Sequence, residues 1–331
     1  MILAGDVGGT STRLAAYDVA DGALRASVEQ TYRSADYGSL NDIIAQFVAE
    51  HALRPTHACC GIAGPVHNNG VKTTNLPWFI EGASLARQLG LASFALINDL
   101  EANAWGVGAL GAADLETLNA GEPGASGNAA VIAAGTGLGE AGLYWDGAEH
   151  RPFACEGGHA DFAPRDELEI QMLRYLMAKF GRVSYERLVS GQGLCNIYEF
   201  LCQAPGWQEI PAVTESMRGQ DLAAAISQAA LENRSPVCVQ ALDMLVSIYG
   251  AEAGNVALKF MTYGGLFIGG GIAPKIITKL RDGNFMRAYL AKGRMQRIVA
   301  AMPVHVIMNP NTALLGAARC ATRRIWPKAA I

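Results

Sequence analysis

A strand, a glycine turn and a second strand occur twice in this sequence, and that repeat limits the fold more than any other feature. In the first copy Ile2-Leu3-Ala4 runs into Gly5-Asp6-Val7-Gly8-Gly9-Thr10, and Leu14-Ala15-Ala16-Tyr17 follows as a second apolar stretch. In the second, Ala130-Val131-Ile132-Ala133-Ala134 leads to Gly135-Thr136-Gly137-Leu138-Gly139 and then to Ala141-Gly142-Leu143-Tyr144-Trp145, about 127 residues further on. Asp21-Gly22 and Asp146-Gly147 close the two copies with turn signals. Two such units suggest a duplicated architecture, and 331 residues suit two domains at roughly 100–200 residues each.

Between and after the copies, strands and helices alternate. Ser39 to Ala49 places Leu40, Ile43, Ile44, Phe47 and Val48 on one helical face. His57 to Ala63 and Phe94 to Ile97 read as buried strands, Ser84 to Leu89 and Leu100 to Trp105 as helices, and Gly111 to Gly127 as loop. Helical spacing returns over Glu167 to Phe180, Leu222 to Glu232, Val237 to Met261 and Ala313 to Arg323, with strands at Leu266 to Ile268 and Val304 to Ile307.

Composition removes several function classes. The chain is 50% hydrophobic and 17% charged, which permits a large core and argues against disorder. A formal charge of −4, without a basic block, argues against nucleic acid as the main ligand. The longest apolar runs fall far short of the ~20 residues of a spanning helix, and the N-terminal residues have neither a basic region nor a cleavage site. Seven scattered cysteines without a C-x-x-C pair indicate neither zinc nor a disulfide framework, and so a reducing cytoplasm.

The glycine turns expose backbone N–H groups that an anion can approach closely; the plain alternative is a hairpin turn. No G-x-x-x-x-G-K-[ST] occurs, and Gly135 to Gly139 precedes a strand where a dinucleotide turn opens a helix. Phosphate held by the two hairpins, with Asp6 set for Mg²⁺ or its water shell, is the better reading. Gly269-Gly270-Gly271-Ile272-Ala273-Pro274 ends a buried strand and leaves room for a flat ring, or else for close packing of helix on strand. Pro274 can start the next helix.

The polar residues each carry two readings. Asn98-Asp99 stands where a strand meets a helix, either as an N-cap or as a rigidly held carboxylate that takes a proton from a hydroxyl. Glu156-Gly157-Gly158-His159 has the spacing of a di-metal helix motif, but the two glycines and the lack of a second copy favour a loop offered to a polyol. Tyr185-Glu186-Arg187 follows Ser184, a capping candidate, and by pattern alone is exposed helix charge.

Taken in order, Gly5 to Thr10, Leu96-Ile97-Asn98-Asp99, Gly135 to Gly139, Glu156 to Pro164, Ser184 to Arg187 and Gly269 to Lys275 resemble the bacterial glucokinases of the hexokinase–actin–Hsp70 superfamily. The match covers residues 3 to 320. Two positions depart from it: Ser11 stands where the family commonly has Asn, and Ala134 where Pro is common. Related sugar kinases and repressors with a cysteine-rich zinc loop are not matched, because residues 160 to 190 contain no Cys.

The resemblance implies an α/β, two-lobed actin/hexokinase-like (ribonuclease H-like) fold, with duplicated mixed sheets, flanking helices and an interlobe cleft. Residues 1–110, joined by a C-terminal helix over 310–331, would form the small lobe and 111–309 the large one. It implies ATP-dependent phosphorylation of the glucose 6-hydroxyl in the cytoplasm by a homodimer, with ATP and Mg²⁺. Asp99 would be the base; Asn98, Gly137, Glu156, His159 and Glu186 would hold the sugar. Gly5, Asp6, Val7, Gly8, Gly9 and Thr10, with Gly135, Thr136, Gly137 and Gly139, would embrace the phosphates, and Gly269, Gly270 and Gly271 would border the adenosine. A kinase for another hexose or an N-acetylhexosamine is the alternative. A sugar-responsive repressor would need a helix-turn-helix ahead of the first strand. An actin-like ATPase would lack the Asn-Asp, Glu-x-x-His and Tyr-Glu set.

Overall fold

The computed structural model describes residues 1–20, 23–73, 76–208 and 210–325. The chain divides into two compact units, one of Met1–Ala113, Arg151–Ala154 and the tail 309–325, the other of Asp114–His150 and Cys155–Met308. Its strands are β1 (Ile2–Val7), β2 (Ser11–Ala20), β3 (Ala23–Arg33), β4 (His57–Ile62), β5 (Gly70–Lys72), β6 (Phe79–Glu81), β7 (Ser93–Asn98), β8 (Leu115–Asn119), β9 (Ala129–Ala134), β10 (Leu138–Trp145), β11 (His150–Cys155), β12 (Leu266–Gly269) and β13 (Val304–Ile307).

The duplication read from the glycine turns is written into the strand order. A five-stranded sheet runs β3-β2-β1-β4-β7 and a six-stranded sheet β11-β10-β9-β12-β13-β8. The first five positions of the second repeat the first, and β8 is the addition. In each, a hairpin (β1 with β2, β9 with β10) pairs antiparallel, and its first strand pairs parallel with the next (β4, β12). Both sheets are therefore mixed. Parallel strands covered on both faces become continuous apolar runs, and every residue of β9 is buried.

Alternation along β1 shows why both faces need cover, since successive side chains point to opposite sides. Leu3 and Val7 pack with Ile43, Ile44 and Phe47 of the helix Leu40–Glu50. Ile2 and Ala4 pack with Leu314, Ala317 and Ala318 of the helix Thr312–Ile325. Ser39 starts the first of these helices by accepting the Asp42 N–H, which satisfies one of the donors a helix start leaves orphaned.

Five strands fall where the sequence offered no apolar run. Gly111 to Gly127, expected as loop, contains β8; β3, β5, β6 and β11 were not expected either. All five are edges, β5 and β6 of a separate two-stranded sheet. The second turn signal is real: Asp146 Oδ1 accepts the N–H groups of Ala148 and Glu149 at 2.9 and 2.8 Å, with Gly147 at φ 95°. The first signal, Asp21-Gly22, lies outside the described residues, as does the tail of the C-terminal helix after residue 325. Pro274 sits in the first turn of a short 3-10 segment, Ala273–Ile276.

The long helix Pro236–Phe260 starts at Ser235, whose side chain accepts the Cys238 N–H, and carries Tyr249 at its centre. Tyr249 is 0% exposed. Its hydroxyl donates to Ile132 O at 3.1 Å, accepts the Ala134 N–H at 3.3 Å, and lies 3.4 Å from Gly269 O. One side chain thus fixes the ends of β9 and β12, from which the second glycine turn and the glycine triplet emerge. Tyr249→Phe is expected to cost about 1–3 kcal/mol of stability, because it leaves buried backbone groups unpaired. Chemical denaturation checks this; an unchanged midpoint would contradict it.

Candidate functional site

In the first unit, β1 ends in the turn that the sequence singled out. Gly5 and Val7 are buried within β1, Gly8 and Gly9 are half-buried, and Thr10 is exposed. Gly8 N–H donates to Ser11 O at 2.9 Å, and Ser34 Oγ donates to Gly8 O at 3.0 Å, so the turn is held from both sides. Asp6 pairs in register with Arg13 on β2. Burial pushes the Asp6 carboxyl above its usual range, and the Arg13 charge pulls the other way.

Asn98 closes β7 and caps the helix Asp99–Val107, its Oδ1 accepting the Leu100 N–H at 2.8 Å. The N-cap reading therefore holds for Asn98, whose Nδ2 also donates to Gly64 O at 3.2 Å. Asp99 is the first helical residue, and its Oδ1 accepts the same Leu100 N–H at 2.9 Å. A half-buried carboxylate is thereby fixed on rigid backbone at a strand end.

In the second unit, Glu156, His159 and Glu186 come together. His159 Nε2 lies 4.0 Å from Glu156 Oε2, and His159 Nδ1 lies 3.9 Å from Glu186 Oε1. Glu156 precedes and His159 ends a single 3-10 turn, Gly157–His159, and Glu186 sits in another, Tyr185–Arg187. The turns are stitched by a bridge between Asp161 and Ser184 and by the Tyr185 N–H to Ala160 O bond at 3.0 Å. Arg182 donates to His159 O at 2.6 Å and to Asp161 at 2.7 Å. Ser184 occupies the cap position but makes no capping bond.

The glycines of Glu156-Gly157-Gly158-His159 have a packing cause. A Cβ on Gly158 would strike Leu138 O, and one on Gly157 would strike the Glu140 carboxylate, so only glycines let this turn lie on β10. Gly137 obeys the same rule. Glu186 Oε2 accepts the Leu138 N–H at 3.1 Å and fills the space of a Cβ at 137. Glu186 is thus no idle helix charge; it ties the turn Gly135–Gly139 to the carboxylate and imidazole group. Thr136 is exposed at the tip of that turn, and Gly139 lies in β10.

Of the triplet, Gly269 ends buried β12, while Gly270 and Gly271 are exposed. Gly270 (φ 81°) has no room for a Cβ beside Ala134 O, whereas Gly271 faces open space. The triplet therefore joins one close backbone contact to one open position. None of the seven cysteines forms a disulfide. Among the described residues no group of three or more His, Cys, Asp or Glu side chains gathers as a metal cage, and no helix is long and apolar enough to cross a membrane.

Sequence reasoning missed the residues beneath this group, Glu140, Tyr249, Glu252 and Asn255. A charged residue inside an otherwise apolar strand, as in Leu138-Gly139-Glu140-Ala141, was the available signal. Gly137→Ala is expected to drive Glu186 off the Leu138 N–H and to destabilise the protein by about 1–3 kcal/mol. Denaturation together with faster hydrogen exchange at the Leu138 amide checks this; wild-type protection there would refute the contact.

Comparison with known proteins bears on this geometry. The glucokinase family model matches residues 3–324. A curated glucokinase of Nostoc sp. is 43% identical over 339 aligned positions, covering 98% of this chain and 99% of its own length. The crystal structure of a glucokinase from an Antarctic psychrotroph superposes with a TM-score of 0.85 at 30% identity, over 97% of this chain and 98% of that one. A ROK-family glucokinase from Streptomyces griseus, solved with glucose and AMPPNP, shares the fold at a TM-score of 0.66 and 21% identity, over 97% and 99% of the two chains. The α/β architecture with its two mixed sheets is accordingly the actin-like kinase fold. The chain belongs to the glucokinase family.

Proposed function

We propose that the chain transfers the γ-phosphoryl group of ATP to the 6-hydroxyl of glucose, as a cytoplasmic homodimer. The observation that carries the reading is the gathering of Glu156, His159 and Glu186, with the Glu186 carboxylate bonded to the turn Gly135–Gly139. Carboxylates accept from hydroxyls and an imidazole does either, which suits a polyol whose phosphorylation is controlled from an adjoining phosphate turn.

Asp99 takes the proton of the 6-hydroxyl as its oxygen attacks the γ-phosphorus and the bond to the leaving ADP breaks. Its Oδ1 is anchored by the Leu100 N–H, so the carboxylate is oriented before substrate arrives. Asn98 and Gly137, with Glu156, His159 and Glu186, hold the sugar, and their binding energy goes into alignment rather than into bond chemistry. The turns Gly5–Thr10 and Gly135–Gly139 present backbone N–H groups and Thr136 to the phosphates, and Gly269 to Gly271 border the adenosine.

Asp6 fits Mg²⁺ in kind: a lone carboxylate at the end of β1 beside a phosphate turn leaves water and phosphate oxygens to complete the octahedron this ion prefers. When bound, the ion would neutralise charge developing on the phosphoryl oxygens.

Asp99→Asn is expected to keep glucose affinity within about twofold while kcat falls on the order of 10²–10⁴-fold. A coupled assay with calorimetric glucose titration checks both, and near wild-type kcat would leave Asp99 a helix-starting residue only. Asp6→Asn is expected to raise the Mg²⁺ concentration for half-maximal turnover about tenfold or more. Superimposable Mg²⁺ titrations of variant and wild type would remove Asp6 from the metal site.

A further inference from the structure

Directly beneath the turn bearing Glu156 and His159 lies a buried acidic pair that the proposed reaction does not use. Glu140, on β10, is 2% exposed, and Glu252, on the helix Pro236–Phe260, is 0% exposed. Glu140 Oε2 occupies the space a Cβ on Gly157 would take, and Glu140 Oε1 has no hydrogen-bond partner. Glu252 accepts from Asn255 Nδ2 at 2.8 Å and from Lys259 Nζ at 3.3 Å. The same Asn255 Nδ2 donates to the Tyr185 hydroxyl at 3.1 Å, and Asn255 Oδ1 accepts from Lys292 Nζ at 2.6 Å. A polar path thus runs from Glu252 through Asn255 to Tyr185, the neighbour of Glu186, and the Glu252 charge is felt at Glu140, under Gly157.

We propose that Glu140 is a positioning residue of the sugar site, carrying one proton on behalf of the Glu140–Glu252 pair so that its neutral side chain supports the Glu156-Gly157-Gly158-His159 turn. The inference rests on the assignment of Glu156, His159 and Glu186 to glucose. The physical case is the cost of two adjacent buried charges. An ionised carboxylate with an unpaired oxygen is expensive to bury, and two within one site resist ionising together. Burial first, and then the Glu252 charge, push the Glu140 carboxyl up to about 7, against the pull of Lys259. The other titratable groups facing Glu140 are Cys155, whose thiol donates to Glu140 O at 3.4 Å and is pushed up chiefly by burial, and the buried Tyr249 phenol. Lys292, behind Asn255, is drawn down to about 8, mainly by burial.

Ionisation of Glu140 places an unpaired charge against the Gly157 backbone and against Glu252. The turn has to lift or admit water, and Glu156 and His159 move with it. Glucose then binds the protonated form preferentially, so affinity falls as pH rises through about 7, by a limit of about tenfold per pH unit for one proton. Glu140→Gln keeps the shape and the neutrality and has no proton to lose.

The test is the glucose dissociation constant, by calorimetry without nucleotide, from pH 6 to 9 on wild type, Glu140→Gln, Glu140→Ala and Glu156→Gln. Wild-type affinity is expected to weaken about threefold or more between pH 7 and 9, and that of Glu140→Gln by less than half as much. Glu140→Ala should weaken binding at every pH, and if it does not fold, the Gln variant still decides. Thermal denaturation gives a second readout. A carboxyl raised on folding costs stability as pH climbs from its unfolded value of about 4.5 to about 7, so wild type should lose stability relative to Glu140→Gln across that window. Parallel pH profiles of affinity for wild type and Glu140→Gln, with Glu156→Gln weakened, would overturn the role of Glu140 alone. Unweakened binding by Glu156→Gln would overturn the sugar-site assignment beneath it.

Discussion

The bond from the Leu138 N–H to Glu186 Oε2 holds the second unit's functional elements in one arrangement. It joins two features that the chain supplies 48 residues apart, a glycine turn between strands and a carboxylate on an isolated 3-10 turn. It exists only because residue 137 has no side chain, since any Cβ there would meet the Glu186 carboxylate. On one side the turn inherits its place from β9, whose end Tyr249 pins through Ile132 and Ala134. On the other, Glu186 brings His159 within 3.9 Å and, through it, Glu156. The backbone proposed to meet phosphate and the side chains proposed to meet sugar hydroxyls are therefore set by a common contact.

Much of the fold was legible because its two hairpins repeat a recognisable pattern. β1 and β4, and likewise β9, β12 and β13, are inner strands, and burial on both faces writes them as apolar runs; β7 ends its sheet but is buried from Phe94 to Ile97 all the same. The strands that escaped notice, β3, β5, β6, β8 and β11, are edges. An edge has one neighbour and much solvent, so its residues need not be apolar: β11 reads His-Arg-Pro-Phe-Ala-Cys and is mostly exposed or half-buried. The helix Gly191–Gln203 was missed for a different reason. Its Gly-Gln-Gly start has poor helix propensity, and Ser190 compensates by accepting the Gly193 N–H at 2.9 Å.

The site was legible to a different depth at each residue. Asn98 reads correctly as a cap from its place alone. Glu186, by pattern, is a charge on a short helix, and only the tertiary contact with Leu138 gives it a reason to be there. Glu140 and Glu252 carry the least sequence signal of all, because each is a single acid within an apolar stretch, Leu138 to Tyr144 and Ile248 to Ala257. Their meaning arises when β10 and the long helix are packed together and two carboxylates find themselves without water.

These residues are proposed to direct phosphate to one oxygen of one sugar. The most direct measurement incubates the purified protein with ATP, Mg²⁺ and, separately, glucose, mannose, fructose and N-acetylmannosamine, and identifies each product by phosphorus–carbon coupling in NMR spectra. Phosphate is expected on the 6-oxygen of glucose, formed with the highest kcat/KM of the set, with negligible ATP turnover in the absence of sugar. Phosphate at another oxygen, preference for the N-acetylated sugar, or sugar-independent ATP hydrolysis at a comparable rate would contradict it.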